Sequence, residues 1–390
     1  MLTALAILAA LSLLAVLLQT LAMLGHLARR PRLGSAFTPR VSVLKPLCGV
    51  DAGLRENLAS FLAQDYPDYE LLLGVAEESD PAHGLASELS ARFPDRVRLV
   101  VQDASAGLNP KVNQLVSLER RARGEVVVVS DSNVRVPRGY LRDLVAPLED
   151  ARVGVVTSPI VGLSGSRLGG KLDALHLASC IAPGVAALRL VGSPVFVGKS
   201  MAFRRPDVAA LGGFASFSHL LAEDQALGEA VLARGQRAAF ARLPVVNVTD
   251  GPLKGFFERY FRWGLLQKHA ARAAFPLLAL NFPYLFCGAL LAAAASFPPL
   301  ATLAVVGLAF RMLLDAVAVR ALTHRWPAPA TLALSPLREA VAFAALAKAA
   351  FTNRVTWRGK SLYVTAGTRL VAAPEPIWSL GDAVHPEAAE

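Results

Sequence analysis

Two aspartates stand where a carboxylate can act on a bound ligand. Asp80 follows the strand-like run 70–76 by a few residues, and Asp131 follows the run 125–130, whose EVVVVS is continuously apolar. In open α/β sheets ligands bind beyond the carboxyl ends of the strands, so acids at two such ends are candidates by position as well as by type. One carboxylate there can simply cap the next turn, whereas two at adjacent strand ends shift the balance towards a site. No Gly-x-Gly-x-x-Gly and no Gly-x-x-x-x-Gly-Lys-Ser/Thr follows a predicted strand, so the glycine-rich phosphate cradles are missing. A nucleotide bound without them must have its charge neutralised by a metal or by arginines and lysines. His-Glu-x-x-His and Gly-x-Ser-x-Gly are absent too, which excludes the metalloprotease and serine hydrolase readings.

Positioning these acids requires a sheet. Residues 41–250 alternate β-branched runs with helical patterns: strands over 41–44, 70–76, 97–101 and 125–130, helices over 54–64, 81–93 and 112–123. That order is the sequence form of an α/β domain with a largely parallel sheet. Cys48, Cys180 and Cys287 are too few and too far apart for a disulfide framework or a zinc site, and are expected to be buried thiols in a reducing compartment.

The flanks are of another kind. Of the 390 residues 54% are apolar and only 18% charged, with 40 Lys+Arg against 30 Asp+Glu. No charged residue occurs over 2–25, long enough to cross a bilayer, and Arg29, Arg30, Arg32 and Arg40 follow directly. An uncleaved transmembrane anchor over 1–28 is expected, with the 41–250 domain cytoplasmic by the positive-inside bias. A second apolar block, 273–319, is broken at Phe297-Pro298-Pro299 and reads as a transmembrane hairpin, its ends marked by Lys268 and Arg272 and by Arg320, His324 and Arg325. Within it Arg311 and Asp315, four apart, form an intrahelical ion pair. Residues 336–352 carry Arg338, Glu339 and Lys348 and read as a re-entrant or interfacial helix, with a cytoplasmic tail over 353–390. The bilayer is thus an expected partner and nucleic acid is not.

The order of segments resembles the ceramide glucosyltransferases, membrane-anchored enzymes of the GT-A (nucleotide-diphospho-sugar transferase-like) fold, over roughly 41–270. Their pattern D, D, D, (Q/R)xxRW falls on Asp80, on Asp131 in Ser130-Asp131-Ser132-Asn133, on Asp224 in Ala222-Glu223-Asp224, and on Arg259-Tyr260-Phe261-Arg262-Trp263. The opening 42–51 and the Asn109-Pro110-Lys111-Val112-Asn113 segment are also similar. The resemblance implies transfer of glucose from UDP-glucose to the primary hydroxyl of ceramide or a similar membrane lipid, with inversion. Asp80 and Lys111 would then hold the uridine end, and Asp131, with Asn133 beside it, would bind Mg²⁺ or Mn²⁺ on the diphosphate. Asn133 stands where many GT-A enzymes have a second carboxylate. Asp224 would be the general base beside Glu223, which joins the nucleotide-sugar site, at the N-terminus of a helix that favours the ionised form. Arg259 and Arg262 share one helical face and suit a diphosphate, and Trp263 would wall the pocket. The alanine- and arginine-rich composition suits a bacterial inner-membrane protein.

Three alternatives have to be weighed. Animal ceramide glucosyltransferases carry a His-Pro pair where this chain reads Ala178-Ser179-Cys180-Ile181-Ala182-Pro183, and a hopanoid N-acetylglucosaminyltransferase shares the whole motif set. A processive polysaccharide synthase needs more crossings than about three. A non-catalytic membrane scaffold would not need Asp80, Asp131, Asp224 and Arg262 intact.

Overall fold

The computed structural model describes residues 2–294, 296–357 and 360–372, residue 360 by its backbone alone. It opens on α1 (Leu2–Leu27), whose 26 residues give a rod of about 39 Å, longer than the ~30 Å hydrocarbon core. Ile7, Leu11, Leu14, Leu18 and Leu21 are exposed along it, an outward apolar stripe that a bilayer would cover.

The catalytic-type domain follows in alternation. Its first half runs β1 (Val41–Pro46), α2 (Leu54–Leu62), β2 (Tyr69–Val75), α3 (His83–Arg92), β3 (Val97–Val101), α4 (Pro110–Glu119) and β4 (Val126–Val129). Its second half runs β5 (Val134–Arg135), α5 (Tyr140–Val145), β6 (Val153–Thr157), β7 (Ile160–Ser164), α6 (Leu168–His176), α7 (Ala182–Leu190), β8 (Met201–Arg204), α8 (Arg205–Ala209), α9 (Glu223–Ala233), β9 (Arg237–Phe240) and β10 (Val245–Thr249). Seven strands form one sheet in the order β3-β2-β1-β4-β8-β6-β9, parallel except for β8, while β5, β10 and β7 form a smaller sheet. The largely parallel α/β sheet expected from the sequence is therefore present. The four valines of β4 are all buried, as a central parallel strand covered on both faces requires. Apolar residues of α2 and α5 pack on one face of the sheet and those of α4 and α9 on the other.

Beyond the domain, α10 (Leu253–Ala270) carries the Arg259–Trp263 segment. The block read as a transmembrane hairpin runs in two arms. Its first arm is a 3₁₀ turn, Phe275–Asn281, bent by 70° from α11 (Pro283–Ala293), and its second arm is the 26-residue α12 (Pro298–Thr323). Pro283 starts α11 without an N–H, so the helix cannot run straight through from 275. After the short α13 (Pro329–Leu332), α14 (Ser335–Phe351) packs along α10. Arg311 and Asp315 do pair, at 3.0 Å, and the cluster extends to Arg338 and Glu339 on α14, all four fully buried.

Three stretches differ from the sequence reading. Pro329–Phe351, which includes nearly all of the 336–352 segment read as a re-entrant or interfacial helix, is apolar enough to count as a membrane span by length and composition. Leu168–Leu190, which joins α6 to α7 through a π-helical turn at Leu177–Ile181, is apolar enough to count as a membrane span by length and composition. Part of the stretch read as a tail, 353–390, forms an antiparallel sheet of β11 (Arg354–Trp357), β12 (Lys360–Val364) and β13 (Leu370–Ala372), while 373–390 lie outside the described residues. Cys48 is exposed rather than buried, because it leaves the sheet edge just after β1.

Candidate active site

The register of the sheet decides which residues meet. Leu44 of β1 faces Val129 of β4, and Pro46 faces Gly74 of β2, so the carboxyl ends of these strands share one edge. The antiparallel β8 begins where β4 ends, with Met201 opposite Val129. Lys199, two residues before β8, is thereby delivered to the edge at which Asp131 leaves. Its Nζ lies 2.8 Å from Asp131 Oδ2 and 2.8 Å from Asn133 Oδ1. Lys111, in the first turn of α4, takes the other oxygen, Asp131 Oδ1, at 3.0 Å. Lys45, fully buried in β1, donates to the Asp131 carbonyl at 2.7 Å and sits over the Phe61 ring. Burial pulls Lys45 down to about 7, against the Asp131 charge. Burial also works against the Asp131 anion, but the Lys111 and Lys199 ammoniums prevail and hold it well below the usual carboxylate range.

The third acid joins through Lys111, which bonds Glu223 Oε1 at 2.9 Å. Asn109 caps α4 with its side-chain oxygen on the Lys111 and Val112 N–H groups, while its amide donates to Glu223 Oε2 at 3.1 Å. Asp224 starts α9 as expected. It accepts the Gly198 N–H at 2.6 Å and the Gln225 N–H at 2.8 Å. Burial first, and then the Glu223 charge, push it up to about 6, so the low-dielectric surroundings outweigh the helix N-terminus.

On the far side α10 presents Arg259, whose Nη1 lies 2.7 Å from Asp173 Oδ2. The Tyr260 hydroxyl donates to the other Asp173 oxygen at 3.0 Å. Gly162 lets α6, which carries Asp173, lie close on β7: a methyl there would meet the Ala174 Cα at 2.2 Å. Trp263 packs edge-on to Tyr260 at 5.5 Å and bridges the domain core to the α10–α14 core, while Arg262 is half-buried one turn on from Arg259. A cleft of about 270 Å³ opens here, lined among others by Asp51, Asn133, Asp173, Asp250 and Arg259.

The site residues read from the sequence fall into two groups. Lys111, Asp131, Asn133, Glu223 and Asp224 are linked in one charged network, and Arg259 borders the same cleft as Asn133. Asp80 is set apart: its carboxylate holds the Gly49 N–H at 2.9 Å and the Ala82 N–H at 2.8 Å, shaping the loop after β1. Lys111 pairs with Asp131 and Glu223. Sequence reasoning missed Lys45, Lys199 and Asp173. For Asp173 a signal existed, a lone acid in an apolar helix; Lys199 depends on the antiparallel course of β8, which no local pattern announces.

A divalent ion of the Mg²⁺ type takes hard oxygens from one or two carboxylates, phosphate and water. Asp131 and Asn133 offer two such oxygens, and the Lys199 ammonium already bridges them, so a cation suits the space between. Among the described residues no group of three His, Cys, Asp or Glu could hold a metal, so other ligands would have to come from the diphosphate and water.

Comparison with known proteins places this geometry. The model for "Glycosyl transferase family 21" matches residues 4–370. Ceramide glucosyltransferase 1 of Caenorhabditis elegans is 30% identical over 232 residues, which are 58% of this chain and 49% of that protein. The ceramide glucosyltransferase of Gibberella zeae is 23% identical over 326 residues, 64% of this chain and 62% of that one. The chain thus spans about half the length of its Caenorhabditis elegans relatives and somewhat more of the fungal one. Among solved structures, the mannosyltransferase PcManGT of Pyrobaculum calidifontis, in complex with GDP-Man and Mn²⁺, superposes with a TM-score of 0.57. It is 24% identical and covers 90% of this chain and 99% of its own, a likeness of fold that fits the GT-A expectation.

Proposed function

The chain belongs to glycosyl transferase family 21, and from that premise we propose that it moves glucose from UDP-glucose to the primary hydroxyl of ceramide or a similar membrane lipid, with inversion. The observation that carries this reading is the placement of a carboxylate near neutral pKa, Asp224, beside a cluster of ammonium groups gathered on Asp131. Transfer forms a bond from the acceptor oxygen to the anomeric carbon and breaks the bond from that carbon to the diphosphate. Asp224 takes the acceptor proton, and the electron pair of the broken bond leaves on UDP. Lys111, Lys199 and Arg259 supply positive charge where the departing diphosphate gains negative charge. Asp131 and Asn133 would hold Mg²⁺ or Mn²⁺, which neutralises the same charge when bound. Asp80 shapes the loop that would receive the uridine.

The lipid half of the reading rests on an apolar cavity between the inner end of α1 and α7. It is lined by Met23, Leu27, Ile181, Val185, Val197 and Phe240. Val197 precedes Gly198, whose N–H is bonded to Asp224, so a chain from the bilayer would end near the base. The orientation proposed puts the domain on the cytoplasmic side of the membrane.

A test incubates the purified protein in nanodiscs with a panel of UDP-sugars and either ceramide or a hopanoid, reading lipid mass. A product heavier by one hexose on ceramide, with UDP-glucose only, is expected. N-acetylhexosamine on the hopanoid would replace the substrate assignment, and no lipid product with any donor would defeat the proposal.

A further inference from the structure

Four arginines gather where α1 ends: Arg29 and Arg32 in the linker, Arg189 near the end of α7, and Arg242 just past β9. Arg189 and Arg242 each bring an Nη1 to 2.6 Å from the same atom, His26 Nδ1. The other ring nitrogen lies 2.9 Å from the Ala241 carbonyl, so it carries the proton and Nδ1 offers a single lone pair to two guanidiniums. Each guanidinium has five N–H donors, and among the described residues these two side chains meet no other hydrogen-bond acceptor.

Nor does a carboxylate neutralise them. Among the described residues none of the four arginines forms an ion pair. The nearby acid, Asp143, is fully buried and spends its oxygens on backbone, accepting the N–H groups of Arg32 at 2.8 Å, Arg242 at 2.5 Å and Leu243 at 2.7 Å. It pins the linker to the turn after β9 and so holds the arginines together. Burial and the charges of Arg32, Arg189 and Arg29 push Arg242 down to about 10 despite Asp143. Arg242 itself is only 7% exposed, which makes this a built feature rather than a solvated face.

The surroundings indicate which anion suits the cluster. Leu188, Leu190 and Val191 at the end of α7 are 41%, 67% and 76% exposed, an apolar tip directly beside the guanidiniums. A ligand with a phosphate at one end and hydrocarbon at the other satisfies both halves, whereas ceramide is uncharged and gives the arginines nothing to bind.

We propose that this cluster binds the phosphate of an anionic phospholipid from the leaflet next to the catalytic domain, with its chains along the exposed tip of α7. Native mass spectrometry of the detergent-purified protein titrated with phosphatidylglycerol or phosphatidylcholine reads it without any sugar transfer, so the outcome is separate from that of the proposed reaction. Phosphatidylglycerol should be retained in preference, and Arg189→Gln with Arg242→Gln should weaken that retention roughly tenfold or more. Because Arg242 is buried, Arg29→Gln with Arg32→Gln serves as a second pair at exposed positions, expected to weaken retention to a smaller degree with the melting temperature unchanged. Inorganic phosphate at millimolar concentration should not displace the lipid. Equal retention of the two lipids, retention unchanged in both variant pairs, or displacement by free phosphate would each overturn the assignment.

Discussion

A general base works best when its own pKa lies near the pH at which it acts, and in Asp224, the base proposed above, burial and the Glu223 charge set that value. The helix N-terminus alone would have kept the carboxylate ionised at low pH; enclosure beside a second acid raises it to about 6 instead. The proposed base is active when ionised, so transfer should rise with pH through about 6. The same shift opposes folding as pH climbs past that value, since the folded state holds the proton more tightly. Asp224→Asn is therefore expected to bind UDP as the parent does, to melt no lower above pH 6, and to lose about 10²- to 10⁴-fold in transfer. Paired UDP titrations and transfer assays across pH check this. A variant still working at near the parent rate would pass the role to Glu223 or another acid.

At the scale of elements, the antiparallel course of β8 is what turns a lone carboxylate into a cation site. It carries Lys199 to the end of β4, where one ammonium bridges Asp131 and Asn133. On the proposed reading a metal would compete with Lys199 for these two oxygens, and a bound diphosphate would give the displaced ammonium a new partner. Lys199→Met should tighten Mn²⁺ binding to the donor-free protein severalfold while weakening UDP, because an apolar stem of similar length leaves both oxygens free. The free-Mn²⁺ signal in electron paramagnetic resonance reports this without turnover, and an unchanged Mn²⁺ affinity would disprove the competition. The sequence makes the parallel half of the sheet legible because buried strands and amphipathic helices alternate with regular periods, and Asp80 and Asp131 can be found from strand ends alone. Glu223, Asp224 and the α10 arginines are reached only by resemblance. Lys199 and Asp173 arise from non-local pairing, β8 against β4 and α6 against β7 through Gly162, and tertiary contacts of that kind leave no period in the chain. The antiparallel sheet at 354–372 is masked in the same way: its strands are short, and its role is to hold the chain before α9, where Leu221 N donates to the Thr368 carbonyl at 2.9 Å and Leu370 N to that of His219 at 2.7 Å.

For the whole molecule, packing fixes how the membrane helices run. Ala9 near the start of α1 shares a cluster with Ala304 near the start of α12, and Met23 near the end of α1 shares another with Ala318 and Leu322. The two helices are therefore parallel, with both ends at the catalytic domain. A chain that leaves the domain at Ala270 must then travel the other way before α12 begins, and the bent segment 275–293 lies between them. The 11 residues of α11 reach about 16 Å, half of the ~30 Å core, so the 3₁₀ turn has to supply the rest. Its break lies against polar groups of α1: Ser12 donates to the Leu280 carbonyl at 2.7 Å and Gln19 to Asn281 Oδ1 at 2.8 Å. Backbone freed at that depth is tolerated only where protein satisfies it in this way. A bilayer around these helices would have the starts of α1 and α12 on one side and the domain on the other, and the positive-inside bias of Arg29, Arg30, Arg32, Arg320 and Arg325 at the domain end supports the proposed cytoplasmic side. Cys48, the exposed one of the three free thiols, is a natural reporter. A membrane-impermeant maleimide should leave it unlabelled in intact cells and label it in inside-out vesicles, with the signal lost in Cys48→Ser. Labelling of Cys48 in intact cells would reverse the orientation and put the donor cleft on the side of the membrane where nucleotide sugars are not made.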